Sequence, residues 1–471
     1  MPVDPERYRP NPIHARLGEA FYDPVRAAEF PEHVLRHRND QAAREVGLHT
    51  LTDGEWLDHF GRFEPLPNNL SEPLALRYHG HQFRAYNPDI GDGRGFLFAQ
   101  VLDERGRTLD LGTKGSGTTP HSRSGDGRLT LKGAVRERLA TEMLAALRVP
   151  TSRTLSIVET GEPLWRGDEP SPTRSAVLVR LQHSHIRIGT FQRLAYEGDA
   201  DAIRRLIAHC AEHYDLGDGD PVRFLEAVSG GVARTGAAWW AAGFVHGVLN
   251  TDNINVTGES FDYGPWRFME AYDPLKVAAY FDQTGLYAFA RQPEALSWNL
   301  ERLAECLLFA HDGTRDALIG VLERFAAMFE EALVARTHER LGLVPGNGKA
   351  ARERVRLLFA AMRDTSAPHQ ATFTTLALGG PDDAVRASPH AGIFATDAWR
   401  DALAAIRAAE AVPVSDIGRP MDPVTMDYDT VERVWEAIAN EDDWEPLEAL
   451  LRDVAGLGRW EAALAAAGDR S

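Results

Sequence analysis

Near residue 190 the hydrophobic pattern of this 471-residue chain changes period. Before that point apolar residues come in short β-branched runs separated by Gly, Pro and Asp. After it they recur at helical spacing almost to the end. A sequence segregated in this way predicts an α+β fold, a β-rich part followed by a helical part, rather than alternating βαβ units. GFLFAQVLDERGRTLDLGTK (95–114) reads as a hairpin turning at Asp103–Arg107, with Lys114 ending its second strand. The Gly-rich loop GSGTTPHSRSGDGR (115–128) leads into a helix over 131–148 that Pro150 stops. Two further strands follow, RTLSIVET (153–160) and SAVLVRLQ (175–182). Four segments are expected: an N-terminal extension over 1–75, with a helix over 32–47; a β-rich lobe over 76–190; a helical lobe over 191–410; and a helical C-terminal extension over 411–471, containing the loop PVSDIGRPMDP.

FVHGVLNTDNINVTGESFDYG (244–264) holds the most chemistry. In kinases a His precedes a catalytic Asp by two positions and a metal-binding Asn by seven, and an Asp-Phe-Gly-like triplet follows. His246 stands seven before Asn253, and Asp262-Tyr263-Gly264 can serve as the triplet, but position 248 is Val. Valine accepts no proton. The alternatives are an inactive chain, Asp252 as the base, or a different reaction. Asn253 and Asp262 offer the hard oxygen ligands that Mg²⁺ or Mn²⁺ takes beside phosphates. His246 has no second His at ligand spacing and reads as a scaffold residue.

The formal charge of −18 disfavours nucleic acid and anionic membrane surfaces, so cations for a nucleotide must be concentrated in one place. Lys114 is followed 23 residues later by Glu137, the spacing of a strand lysine and a helix glutamate in kinases. Helical periodicity sets Glu137 and Glu142 equally far from the apolar stripe and does not choose between them. Gly-Asp-Gly-Arg occurs twice, at 91–94 and 125–128, where glycines let backbone N–H groups approach an anion and Arg94 or Arg128 adds a forked donor. Arg180 interrupts the apolar strand on the face of Ala176 and Leu178, and demands an anionic partner, either a carboxylate or a phosphate. Arg187 follows seven residues on. Only two cysteines occur, Cys210 and Cys306, both in helical segments, and no run of about 18 apolar residues is present. A cytoplasmic monomer is expected.

Assembled, these residues resemble the SelO (YdiU) family of kinase-like protein adenylyltransferases. The resemblance rests on GHQFRAYNPDIGDGRG, DLGTKGSGTTPHSRSGDGR, VRERLATEML, VLVRLQHSHIRIGTF and HGVLNTDNINVTGESFDYGP, in that order over residues 76–310. It implies a two-lobed protein-kinase-like fold and ATP held reversed, so that AMP passes to a Ser, Thr or Tyr hydroxyl of a protein, with UTP as another possible donor. Val248 then ceases to be a defect. On this resemblance Asp252 is the proton acceptor and Asn253 and Asp262 hold the metal. Gly91, Gly93, Arg94, Lys114, Asp126, Gly127, Arg180 and Arg187 bind ATP, with Glu137 pairing Lys114. Two features depart from the family. The segment YDPLKVAAYFDQ and the tail lack the cysteines that some members carry, so a thiol switch is not expected, and Arg84 stands where glycine is usual after HQF.

Overall fold

A computed structural model describes residues 3–167, 169–413 and 422–470; most of the loop PVSDIGRPMDP lies outside the described residues. One antiparallel sheet dominates the first part. Its strands run in the order Tyr22–Pro24, Leu74–Leu76, Leu97–Leu102, Thr108–Lys114, Thr173–Gln182, Arg153–Leu164 and Val34–Arg38, with the short Leu129–Thr130 also paired to Thr173–Gln182. The hairpin expected at 95–114 is present, and the other two expected strands are each longer than their apolar runs.

The segment expected as a helix over 32–47 is instead a strand, Val34–Arg38, and a short helix, Asp40–Glu45. Val34–Arg38 pairs with Arg153–Leu164 at the sheet edge, and Asn39 caps the helix by accepting the Ala42 N–H at 3.0 Å. Tertiary pairing overrides weak helical periodicity here. The N-terminal segment therefore supplies both edge strands of the sheet.

Alternation along Thr173–Gln182 divides two cores. Ala176 and Leu178 pack with the helix Leu131–Ala146 and the helical part, whereas Val177, Val179 and Leu181 pack with Trp56, Phe60, Phe96 and Phe98. Arg180 belongs to the first face, as expected from its parity, and so reaches that helix. Thr130 starts the helix by accepting the Gly133 N–H at 3.1 Å.

The second part is helical, built around Pro221–Ala242 packed on Arg315–Arg340. Asp220 caps the former by accepting the Val222 and Arg223 N–H groups, Pro221 fills its first turn, and Gly243, at φ 67°, ends it. This part also contains the helices Lys349–Thr365 and His369–Leu376. The last helix, Glu445–Gly468, returns to Leu131–Ala146, where Gly458 meets Ala146.

Glu461 on that last helix is fully buried between Arg336 (2.8 Å) and Arg340 (2.9 Å), and Arg340 also reaches Gln370. Glu461→Ala leaves the buried Arg340 without a carboxylate and Arg336 with Glu339 alone (2.7 Å). It is expected to lower unfolding free energy by about 3–5 kcal/mol in urea titration. Glu461→Gln is expected to cost less, because the amide oxygen still accepts a hydrogen bond.

Candidate active site

Lys114, at the end of its strand, is 5% exposed, and its Nζ lies 2.6 Å from both Glu137 Oε2 and Asp262 Oδ1. Glu137 is 1% exposed. The alternative, Glu142, turns to Asn39 and Arg153 instead, which settles the ambiguity left by periodicity. Arg180 completes the cluster, with Nη1 3.2 Å from Glu137 Oε1 and 3.9 Å from Asp262 Oδ1. Burial works against the Asp262 carboxylate, but Lys114, Arg180 and Arg94 hold its pKa far below the usual carboxylate range. Asp262 adopts the left-handed region at φ 61°.

Arg180 is itself held from behind. Its Nε donates to His185 Nε2 (3.1 Å), which makes that nitrogen the acceptor and leaves the proton on Nδ1, 3.1 Å from Asp110 Oδ2. Asp110 also accepts the His185 backbone N–H (2.7 Å) and Gln100 Nε2 (2.7 Å). Gly112 is required here, since a Cβ would lie 2.3 Å from His185 Nε2. This buried support was missed in the sequence, where Asp110 and His185 lie 75 residues apart with no local pattern to join them. Arg187 stacks 4.0 Å from the Tyr78 ring centroid and reaches the Asp252 carbonyl (3.3 Å) and Asp92 (3.5 Å).

The segment 250–253 is a short turn fixed by the hairpin Gly80–Gln82/Ala85–Asn87: Thr251 Oγ1 accepts the His81 N–H (2.7 Å) and Asn250 Oδ1 the Phe83 N–H (3.0 Å). Val248 contributes only its backbone carbonyl, which accepts Asn253 Nδ2 at 3.1 Å. The Asn253 Oδ1 is thereby left with no hydrogen bond among the described residues. Asp252 presents a buried Oδ1 that also has no partner, against Gly80, where a Cβ would lie 2.9 Å from it. Burial pushes the Asp252 carboxyl up to about 7, with Arg187 opposing and Asp262 adding to the shift. His246 is a scaffold residue: its backbone N–H donates to Gln292 Oε1 and its Nε2–H to the Phe261 carbonyl, both at 3.0 Å, which anchors the segment leading to Asp262.

A cavity of ≈ 640 Å³ brings Gly91, Gly93, Arg94, Asp126 and Gly127 together with Asp252. Its glycines are sterically required: a Cβ at Gly91 would lie 2.5 Å from His121 Cγ, and one at Gly127, φ 70°, would lie 2.3 Å from the Gly117 backbone. Asp126 is engaged by Arg166 (2.9 Å), and Arg128 by Glu162 (2.6 Å), whereas Arg94 is exposed. Arg84 sits at φ 65°, a backbone conformation that explains why glycine suits this position; its guanidinium is held by Glu294 (2.9 Å) and over the Trp298 ring (5.4 Å).

Cations converging on two carboxylates beside a glycine-lined cavity suit group transfer, and the relatives of this chain are named for such an activity. A protein from Synechococcus elongatus named protein nucleotidyltransferase YdiU is 43% identical, covering 93% of both chains. Proteins of the same name from Gloeobacter violaceus (43% identical, 93% of both chains) and Synechocystis sp. (41% identical, 94% of this chain and 96% of the other) agree. The class is nucleotidyltransferase. The family model described as protein adenylyltransferase SelO matches residues 7–455, and the chain belongs to that family. Among the described residues no helix is long and apolar enough to cross a membrane.

Proposed function

We propose that the chain transfers AMP from ATP to Ser, Thr or Tyr hydroxyls of other proteins and releases pyrophosphate, on a two-lobed kinase-like fold divided near residue 190. The observation that carries this reading is Asp252, a carboxylate with one oxygen buried and unpartnered against Gly80, on the wall of the cavity lined by Gly91, Gly93, Arg94, Asp126 and Gly127, with valine at the usual base position. In this reading the nucleotide lies reversed relative to ordinary kinases. Asp252 takes the proton of the acceptor hydroxyl as its oxygen attacks the α-phosphorus, the bond from that phosphorus to its bridging oxygen breaks, and pyrophosphate leaves.

Lys114, fixed by Glu137, acts with Arg180 and Arg187 on the two terminal phosphates, while the glycines let the backbone approach the nucleotide. The acceptor atoms fit a hard divalent cation: Asn253 Oδ1 is free, and Asp262 stays ionised. Asn253 and Asp262 would hold Mg²⁺ or Mn²⁺, which supplies neutralisation of phosphate charge when bound. The same phosphate contacts admit UTP as donor. The enzyme acts as a cytoplasmic monomer, a setting that two free, buried cysteines support.

The test incubates the chain with Mg²⁺ or Mn²⁺, a protein acceptor and ATP labelled at the α- or the γ-phosphate. Label reaching protein from the α position alone is expected. Label from γ alone would make the chain a kinase using Asp252 as its base. Nucleotide-dependent stabilisation without either transfer would make it a pseudokinase-like binding module.

A further inference from the structure

A second cavity, ≈ 420 Å³, adjoins the first. The two share Arg94, Arg128 and Arg166, but Gly91, Gly93 and Asp252 line only the first, and Lys114, Lys132, Arg136, Arg267, Tyr280 and Phe281 only the second. Seven of its lining side chains are Lys or Arg and two are Glu, in a chain whose formal charge is −18. Three of those cations are already committed: Lys114 to Glu137 and Asp262, Arg128 to Glu162, Arg166 to Asp126. The outer wall is not balanced in this way. Lys132 (2.7 Å) and Arg136 (3.8 Å) share the single carboxylate of Glu432, and Arg267 has none within ion-pair distance among the described residues.

The wall is also rigid. Arg136 lies over Trp266 (4.9 Å to the ring centroid) and Arg267 over Tyr428 (4.6 Å), so both planar guanidinium groups are held in place by aromatic faces with donors left over. Burial and the neighbouring Arg267 both disfavour the charged form of Arg136, the mark of like charges crowded with too few anions. At the lip, Tyr280 is 80% and Phe281 48% exposed, with Leu275 at 76% nearby in sequence. Phe83 continues this apolar rim, its ring centroid 5.7 Å from that of Phe281. An exposed aromatic rim around a rigid, under-neutralised basic pocket has the composition of a peptide-docking surface.

We infer that this cavity seats an acidic side chain of the acceptor protein, a few residues from the hydroxyl that is modified, with an apolar neighbour of that side chain on Tyr280 and Phe281. The inference rests on the proposed protein nucleotidyl transfer and deepens it by naming the acceptor class. The two cavities share Arg94, Arg128 and Arg166, so an extended acceptor segment, advancing about 3.3 Å per residue, passes from one into the other without leaving the surface. Glu432 occupies the place that the acceptor carboxylate takes, and acts as its internal competitor for Lys132 and Arg136.

The test uses the full chain and two fluorescent peptides that share one Ser and one Leu and differ only in Asp and Glu against Asn and Gln around them. Affinity is read by anisotropy in the presence of a non-hydrolysable ATP analogue, and transfer is read from α-labelled ATP. The acidic peptide is expected to bind at least about tenfold more tightly. Arg267→Ala is expected to remove most of that preference while leaving the affinity for nucleotide unchanged, and Glu432→Gln to strengthen acidic-peptide binding. Equal affinity for the two peptides overturns the inference. So does an Arg267→Ala chain that loses nucleotide affinity instead, which would assign the cavity to phosphates. Label passing to protein from γ but not α would defeat the transfer reading while leaving the binding comparison to decide the docking surface.

Discussion

Asp262→Ala is expected to lower α-phosphate transfer by at least about a thousandfold while leaving the fold intact. The side chain is about one-third exposed at the cleft wall, so its removal opens no core cavity. Lys114 and Arg180 keep Glu137, which is within 2.6 and 3.2 Å of them, so neither buried cation is left without a carboxylate. What is lost is the anion that ties the two cations to the segment after the turn 250–253, together with the oxygen proposed to bind the metal. Transfer is measured with α-labelled ATP, and folding by thermal unfolding, where a shift of no more than a few degrees is expected. Transfer retained near the wild-type rate would remove Asp262 from the mechanism. Lys114→Ala is a less clean experiment: it should also abolish transfer, but it leaves the buried Glu137 with Arg180 alone and destabilises the chain more.

Much of this site was legible because its information is local. Strand alternation placed Arg180 on the face that meets the helix carrying Glu137, and the spacing of His246, Asn253 and Asp262 marked the segment that the hairpin 80–87 holds in place. The hairpin at 95–114 was readable because its turn, Asp103–Arg107, is composed for one. What escaped was decided by contacts far apart in sequence. Val34–Arg38 is a strand because Arg153–Leu164 offers an edge, and no pattern within residues 32–47 encodes that edge. Glu137 prevailed over Glu142 because Lys114 and Arg180 converge on one side of the helix, whereas Arg153 and Asn39 draw Glu142 to the other. The Asp110–His185 support and the Glu432 pairing with Lys132 likewise exist only once distant segments have packed.

Asp252→Asn is expected to separate function from stability by moving them in opposite directions. As the proposed base, its loss should lower α-phosphate transfer by about a hundred- to ten-thousandfold. Stability in metal-free, nucleotide-free buffer should rise. Burial lifts the Asp252 carboxyl from its ordinary 3.8 to about 7, outweighing the nearby Arg187, so the folded chain retains a proton that the unfolded chain releases. Where the folded form binds more protons, stability falls as pH rises. The cost of Asp252 is therefore absent below about pH 4, accumulates between about pH 4 and 7, and is constant above. Asparagine cannot ionise and removes that cost. Allowing for the partly open cleft, the gain at pH 7.5 is about 1–2 kcal/mol in urea titration, vanishing near pH 4. A variant that is inactive because it is misfolded would instead lose stability at every pH. An inactive variant whose stability advantage over the wild type grows with rising pH identifies Asp252 as a charge kept in an unfavourable place for its chemistry, and an active one would return the search for the base to the rest of the cleft.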